Sequence, residues 1–342
     1  MSNGFVSFSG NSSGKKSSFV MRFALVFSIL ALIIISFIAL TVFSSNRLMS
    51  LKGYEVTNVP SNILPSYSTT SFQSADGQTS LQGWFFKTKN PISTIIVVHN
   101  AGSNRLQFGV EMIDMIEGWL ESGYNVFMFD QRNCGTSGGD ICTYGYLEWQ
   151  DVLGAIAIVK QISVTTDVIL YGIGTGCTSS IIAYTSLPPA NASEQTLSSY
   201  SQRIRNLGFD RSYVIGMILD SPAKESDDYI KPEVIQSEPL GFITQFSVPY
   251  AIRVSSSATN VSLAAEIARL PIPVLILYGG HDTFIGADKI DQIITERSRL
   301  NSSITRSIMV SGAGYLEEYS INKNQYIDTV TDFLNSFYMV DD

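Results

Sequence analysis

The first stretch that could do chemistry is a glycine turn at residues 171–177, which reads Tyr-Gly-Ile-Gly-Thr-Gly-Cys. It follows the apolar run 168–170 and opens a helix-like segment at 178–184. A buried strand, a sharp turn and a helix together hold the nucleophilic serine of Gly-x-Ser-x-Gly motifs. The flanking glycines are Gly172 and Gly176, but the serine position is Gly174. The turn therefore predicts the architecture of an acyl-transfer site without its nucleophile.

Few other side chains could replace the missing serine. Cys177 lies in the first turn after the glycines, where a helix N-terminus can lower a thiol pKa, although small residues there usually pack the helix on its sheet. Ser103 lies in a loop after another apolar run, where a backbone-capping role is the alternative. The chain has two histidines, His99 and His281. His281 adjoins Asp282 and is a candidate base, with an ordinary loop histidine as the alternative. No spacing predicts a metal or cofactor site.

Alternating strands and helices must position these residues. The pattern predicts strands at 68–74, 79–87, 94–98, 125–129, 167–170, 213–219, 273–277 and 304–310, and helices at 105–121, 146–162, 178–184, 263–270, 287–297 and 325–337. Such alternation predicts an α/β fold with a mostly parallel eight-stranded sheet and helices on both faces. The irregular, proline-containing stretch 222–270 predicts a small cap with one helix, and the polar stretch 190–206 an inserted loop.

An apolar segment precedes the alternation. Residues 23–43 form a run of 21 residues without a charge, long enough as a helix to cross the ~30 Å hydrocarbon core. A buried core helix is disfavoured because the run is apolar all round, and a cleaved signal peptide because no Ala-x-Ala site follows. We therefore expect one uncleaved transmembrane signal anchor. Basic residues without acidic ones precede it, which favours a cytoplasmic N-terminus with the large domain on the opposite side.

Composition narrows the remaining possibilities. The chain has 342 residues, of which 45% are apolar, and a net charge of −8, so nucleic acid is not an expected partner. Its three cysteines include Cys134 and Cys142, which could pair in an oxidising compartment. The predicted organisation is a disordered tail (1–22), the anchor (23–43), a stalk (44–66) and a domain (67–342) that includes the cap.

Five stretches in chain order resemble the α/β-hydrolase superfamily, over roughly residues 67–338. Within this superfamily, the chain most resembles membrane-anchored serine aminopeptidases and prolyl-oligopeptidase-like hydrolases. The stretches are 97–105, similar to the His-Gly-x-Gly loop; 129–139, similar to the Asp-x-Arg-x-x-Gly-x-Ser loop; 219–222, like the end of the sixth strand; 274–282, like the acid-bearing strand and loop; and 311–315, like the histidine loop.

The resemblance assigns each catalytic role to a position. It implies Gly174 for the serine, Asp282 for the acid, Tyr315 for the histidine, and the backbone N–H groups of Ala101 and Thr175 for the oxyanion hole. Glycine has no nucleophile, and a phenol with a pKa of ~10 is a poor base near neutral pH. A degenerate triad is the expectation.

Three hypotheses follow. The leading one is a catalytically inactive, membrane-anchored homologue that binds a small molecule in the former pocket or a protein partner, the latter through the 190–206 loop or the cap. It is favoured because loss of the serine or histidine alone costs roughly a million-fold in turnover. The alternative is an esterase or peptidase whose displaced nucleophile is Cys177 or Ser103, with His281 as base. A purely structural membrane subunit has no specific motif behind it.

Overall fold

The computed structural model describes residues 13–56, 59–60 and 63–339. Its centre is a sheet with the strand order β1-β2-β4-β3-β5-β6-β7-β8. β1 and β2 pair antiparallel, as do β2 and β4, and the remaining neighbours pair parallel. The predicted eight-stranded, mostly parallel sheet is confirmed. The strands are β1 (Tyr67–Gln73), β2 (Ser80–Phe86), β3 (Ser93–Val98), β4 (Tyr124–Asp130), β5 (Val168–Ile173), β6 (Val214–Asp220), β7 (Val274–Gly279) and β8 (Thr305–Val310).

Helices cover both faces of the sheet, as crossovers between parallel strands require. Over the described residues the α-helices are α1 (Ser13–Met49), α2 (Ile113–Glu121), α3 (Trp149–Ile162), α4 (Thr175–Ser186), α5 (Glu194–Ser198), α6 (Gln202–Arg205), α7 (Asp227–Ser237), α8 (Gly241–Thr244), α9 (Val248–Ser256), α10 (Leu263–Arg269), α11 (Ala287–Asn301), α12 (Glu318–Ile321) and α13 (Lys323–Tyr338). Short 3₁₀ turns lie at Gly109–Met112, Arg211–Tyr213 and Ser302–Ile304.

The core has two apolar layers, one on each face of the sheet. Helices α3, α4, α10 and α11 contribute to one layer, which includes Ile96 and Leu170. Helices α2 and α13 contribute to the other, around Trp119 and Tyr326. Strands β3, β4, β5 and β7 are buried along their whole length. Burial on both faces explains why these strands are continuous apolar runs in the sequence.

The cap differs from its prediction. The stretch 222–270 contains four helices, α7 to α10, where one was expected. Its prolines do not all break helices: Pro249 lies in the first turn of α9, where a missing N–H costs no hydrogen bond. The insertion 190–206, expected to be a loop, holds the short helices α5 and α6. Ser193 and Ser201 cap them by accepting backbone N–H bonds.

The N-terminal bounds also change. Residues 1–12 of the predicted tail lie outside the described residues, but 13–22 are already helical in α1. The helix also continues through 44–49, the expected start of the stalk. Thr41, Ser44, Ser45 and Leu48 are buried there at helical spacing, so one face of α1 packs on the domain. Small polar residues that resemble a linker in the sequence form this contact face. The part of α1 from Phe19 to Met49 is long and apolar enough to cross a membrane.

Candidate active site

The glycine turn after β5 has a sharp backbone. Gly174 has φ 55° and ψ −120° and stands immediately before α4, a conformation that strains any residue with a Cβ. The flanking glycines are required by close packing. A Cβ on Gly176 would overlap the carbonyl oxygen of Val98, and one on Gly172 would lie 2.6 Å from the carbonyl oxygen of Gly176. The backbone therefore has the form of a nucleophile elbow.

The space above Gly174 is already filled. A Cβ there would overlap Oδ1 of Asn100 and would lie 2.5 Å from the hydroxyl oxygen of Tyr315. The Tyr315 hydroxyl donates to the same Asn100 Oδ1 at 3.2 Å, and its ring stacks on Phe284 with centroids 4.5 Å apart. The structure thus brings the predicted serine and histidine positions together. It leaves no room between them for a serine side chain.

Both expected oxyanion donors bond to side chains of the chain itself. The Thr175 N–H donates to Asn100 Oδ1 at 3.0 Å, and the Ala101 N–H donates to Thr175 Oγ1 at 2.7 Å. These distances fall in the range at which such donors bind a developing oxyanion. The Asn100 carboxamide oxygen therefore takes up one of the two expected oxyanion donors, and the Thr175 hydroxyl takes up the other.

Asn100 is held in place from three sides. Its N–H donates to Oε1 of Gln107 at 2.8 Å, and its carbonyl oxygen lies 2.7 Å from Nδ1 of His99. The other ring nitrogen of His99 accepts the Gln131 N–H at 3.0 Å, so the proton must be on Nδ1, which donates to Asn100. Desolvation lowers the pKa of the buried His99, which keeps the ring neutral. His99 thus positions the Asn100 loop.

Asp282 follows β7 at the expected place. Its Oδ1 accepts the N–H groups of Phe284 and Ile285, both at 2.8 Å. Its Oδ2 is buried and has no hydrogen-bond partner among the described residues. Desolvation raises the pKa of this carboxyl. Tyr315 directs its hydroxyl to Asn100, and desolvation raises the pKa of the phenol well above its usual value.

The alternative nucleophiles lie apart from a base. Cys177 is fully buried, its thiol donates to the carbonyl oxygens of Gly172 and Asp220, and desolvation raises its pKa well above the usual value. Ser103 is half-buried in the loop after β3, and the side chain of His281 is exposed. Across the described ranges, no hydrogen bond joins the His281 imidazole to either candidate.

Metal and disulfide sites are also absent from the described part of the chain. No group of three or more His, Cys, Asp or Glu residues there could hold a metal ion. Cys134 and Cys142 are buried and free, as is Cys177.

A buried carboxyl pair beneath the elbow was missed by sequence reasoning. Ser221 Oγ lies 3.2 Å from Oδ1 of Asp220 and 3.0 Å from Oε1 of Glu318. Tyr326 donates to Asp220 Oδ2 at 2.6 Å, and the Asp220 carbonyl accepts the Gly174 N–H at 2.9 Å. One hydroxyl proton cannot serve both carboxyls. Burial raises the pKa of both, that of Asp220 to about 6 and that of Glu318 to about 9, which favours the protonated form of Glu318. Asp220 ends an apolar strand, but nothing in the sequence pairs it with Glu318.

The elbow after β5, the acid after β7 and the eight-stranded sheet define the α/β-hydrolase fold. Esterase Pf2001 from Pyrococcus furiosus superposes with a TM-score of 0.62 at 18% identity, over 85% of this chain and 99% of that chain. The α/β hydrolase GrgF from Penicillium gives a TM-score of 0.53 at 14% identity, over 80% and 99%. At these identities the likeness concerns the fold alone.

Sequence relatives add little about activity. No family model matches the chain. The uncharacterized protein YfhR of Escherichia coli is 37% identical over 103 residues, which span 28% of this chain and only 33% of YfhR. The uncharacterized protein YqkD of Bacillus subtilis is 23% identical over 75% of each chain.

Proposed function

We propose that this protein is a catalytically inactive α/β-hydrolase homologue that acts by binding. The observation that carries the proposal is the Asn100 carboxamide oxygen, which accepts one of the two expected oxyanion N–H donors and fills the space above a Gly174 turn that has no nucleophile. The Tyr315 phenol, with its raised pKa, adds no usable base. An oxyanion hole alone still supplies ~10³–10⁴-fold over water in such enzymes, and here its two N–H donors are already bonded.

The proposed binding function is carried out at a membrane. We take α1 as a single-pass anchor, with the N-terminus in the cytoplasm and the domain on the opposite side. Two kinds of partner are consistent with the fold, a small molecule and a protein. A cavity of about 430 Å³ between α3 and the end of the cap is lined by Tyr146, Trp149 and Val261. That volume falls within the range of small-molecule sites, and the net charge of −8 opposes nucleic acid.

The test uses the purified full chain in detergent with a fluorophosphonate probe and a series of p-nitrophenyl esters. We expect no covalent labelling and no turnover above that of protein-free detergent. The matched control is the triple variant Gly174→Ser, Tyr315→His, Asn100→Gly, which supplies a serine and a histidine and removes the Asn100 side chain that lies against both positions. Labelling at position 174 of that variant would establish that the probe reaches the site.

Robust labelling of a wild-type serine near the elbow would overturn the proposal. The alternative function, an esterase or peptidase with a displaced nucleophile, predicts ester turnover. This turnover should disappear in His281→Ala, and also in Cys177→Ser or Ser103→Ala. The His281 side chain is exposed, so His281→Ala should leave the fold unchanged.

A further inference from the structure

The cap presents an apolar surface to its surroundings. No charged residue occurs between Glu238 and Arg253, a segment that contains α8 and the first part of α9. Phe246, at the junction of the two helices, is 74% exposed. Exposed apolar patches of this kind mark interaction surfaces. The large exposed side chains of the cap surface are Leu240, Phe242, Ile243, Phe246, Tyr250 and Val254.

Helix α1 runs directly beside this cap surface. Oγ1 of Thr41 lies 2.8 Å from Oγ of Ser247, at the start of α9. Further along, a groove of about 380 Å³ is lined by Phe37 from α1 and by Tyr250 and Val254 from α9, among others. The two helices therefore share a boundary over several turns of α1.

The part of α1 that the cap contacts indicates how deep the cap surface would lie in a membrane. The uncharged run of α1 ends at Phe43, and the next charge is Arg47. Phe37 lies ten residues before Arg47, which is about 15 Å along a helix at 1.5 Å per residue. The groove extends along α1 from Phe37 to Asn46. If α1 crosses a bilayer, Tyr250 and Val254 therefore lie beside the part of α1 that leads from the acyl chains to the edge of the hydrocarbon core.

The charges that border the cap surface are already paired. Arg47 Nε lies 3.1 Å from Oε1 of Glu238, and Arg253 pairs with Asp227. The exposed side chains between them are two Phe and one each of Leu, Ile, Tyr and Val, and they offer no charge to match on a protein partner. Amphipathic helices that lie in a membrane interface bury this type of apolar face.

We propose that the cap surface inserts into the membrane leaflet next to the domain and forms a second membrane contact beside α1. This role rests on the proposed anchor, because the depth of the surface is set by α1. It does not depend on which side of the membrane the domain occupies, since α1 and α9 contact each other in either orientation. The groove between the two helices would then open towards lipid acyl chains.

The test places an environment-sensitive nitrobenzoxadiazole label on single introduced cysteines of the full chain. The three native cysteines are buried, so the introduced thiol reacts selectively. Labelled variants are Phe246→Cys and Val254→Cys on the cap surface, Leu32→Cys within the apolar run of α1, and Val164→Cys before the amino end of β5. Val164 is 82% exposed and lies at the opposite edge of the sheet from the cap. Each variant is reconstituted in phosphatidylcholine vesicles with and without doxyl-labelled lipid.

We expect blue-shifted emission and loss of most fluorescence to the lipid quencher at positions 246, 254 and 32, with no loss at 164. Quenching at 32 without quenching at 246 and 254 would overturn the cap contact and leave the anchor standing. Absence of quenching at 32 would overturn the anchor itself. Blue-shifted emission at 246 and 254 without lipid quenching would indicate a second copy of the chain on this surface, and would also overturn the membrane contact.

Discussion

Asn100, Gly174 and Tyr315 fit one another in both shape and hydrogen bonding. The Asn100 carboxamide accepts from the Thr175 N–H and from the Tyr315 hydroxyl, and it occupies the volume that a Cβ on Gly174 would need. Glycine at this position is therefore required by its neighbours as well as by its φ of 55°. Serine could return only if Asn100 and Tyr315 moved or changed.

The first prediction concerns Gly174→Ser. The positive φ costs ~1–3 kcal/mol of backbone strain, and the overlap with Asn100 adds to it, so the variant should be clearly less stable and still inactive. In an Asn100→Gly background the same substitution should cost less, with a coupling of ~0.5–3 kcal/mol. Thermal unfolding of the four proteins in detergent gives the double-mutant cycle.

Gly77→Ser is the matched control, because Gly77 also has a positive φ, of 71°, but no atom within 4 Å of its Cβ position. Gly77→Ser should lose stability through backbone strain, and this loss should be the same with and without Asn100→Gly. Equal costs for Gly174→Ser with and without Asn100 would contradict the steric account.

The carboxyl ends of neighbouring strands concentrate acids at one edge of the sheet. Asp220 ends β6 and Asp282 follows β7. Helix α12 then brings Glu318 to within 3.0 Å of Ser221 Oγ. Ser221 itself has a φ of 54°, a conformation that costs free energy for a residue other than glycine. Because burial raises the pKa of Asp220 and Glu318, this edge of the sheet holds protons more tightly when folded.

The second prediction is a pH dependence of stability. A raised folded pKa means that the unfolded chain binds fewer protons above the ordinary carboxyl range, so stability falls as pH rises towards the folded pKa. One such group contributes ~1.4 kcal/mol per pH unit within that window. Glu318→Gln removes the contribution of Glu318 to this pH dependence. The melting temperature of the variant should therefore decline less than that of the wild type between pH 5 and 8.

Glu117→Gln provides the comparison, since Glu117 is exposed on α2 and its replacement should leave the pH profile unchanged. Parallel profiles for the wild type and Glu318→Gln would show that Glu318 does not carry the extra proton.

At the scale of the whole molecule, α1 joins the domain without a free linker at its C-terminal end. The Met49 carbonyl accepts the Cys142 N–H at 2.7 Å, and the Leu51 carbonyl accepts from Asn133 Nδ2 at 3.1 Å. Together with the Thr41–Ser247 contact, these bonds fix α1 against both the cap and the loop after β4.

The third prediction tests this docking in the full chain. The double variant Thr41→Cys, Ser247→Cys should form a disulfide on mild oxidation, because the two hydroxyl oxygens that the sulfur atoms replace lie 2.8 Å apart, close to the ~2.05 Å length of an S–S bond. Mass spectrometry of the digested protein, with and without reduction, detects the linked peptides. Phe27→Cys with Ser247→Cys should not link. Efficient linking in both pairs, or in neither, would mean that α1 is not held against α9.

Much of the architecture follows from the sequence alone, because strands, crossover helices and an uncharged helical run are local patterns. The eight strands in their order along the chain and the elbow without a serine were readable in this way, and the family resemblance assigned the acid role to Asp282. The bond between Asn100 and the Thr175 N–H was not readable, because the two residues lie 75 positions apart in the chain. The docking of α1 joins residues 206 apart. Such contacts depend on how the elements pack against one another, and only the tertiary structure decides that.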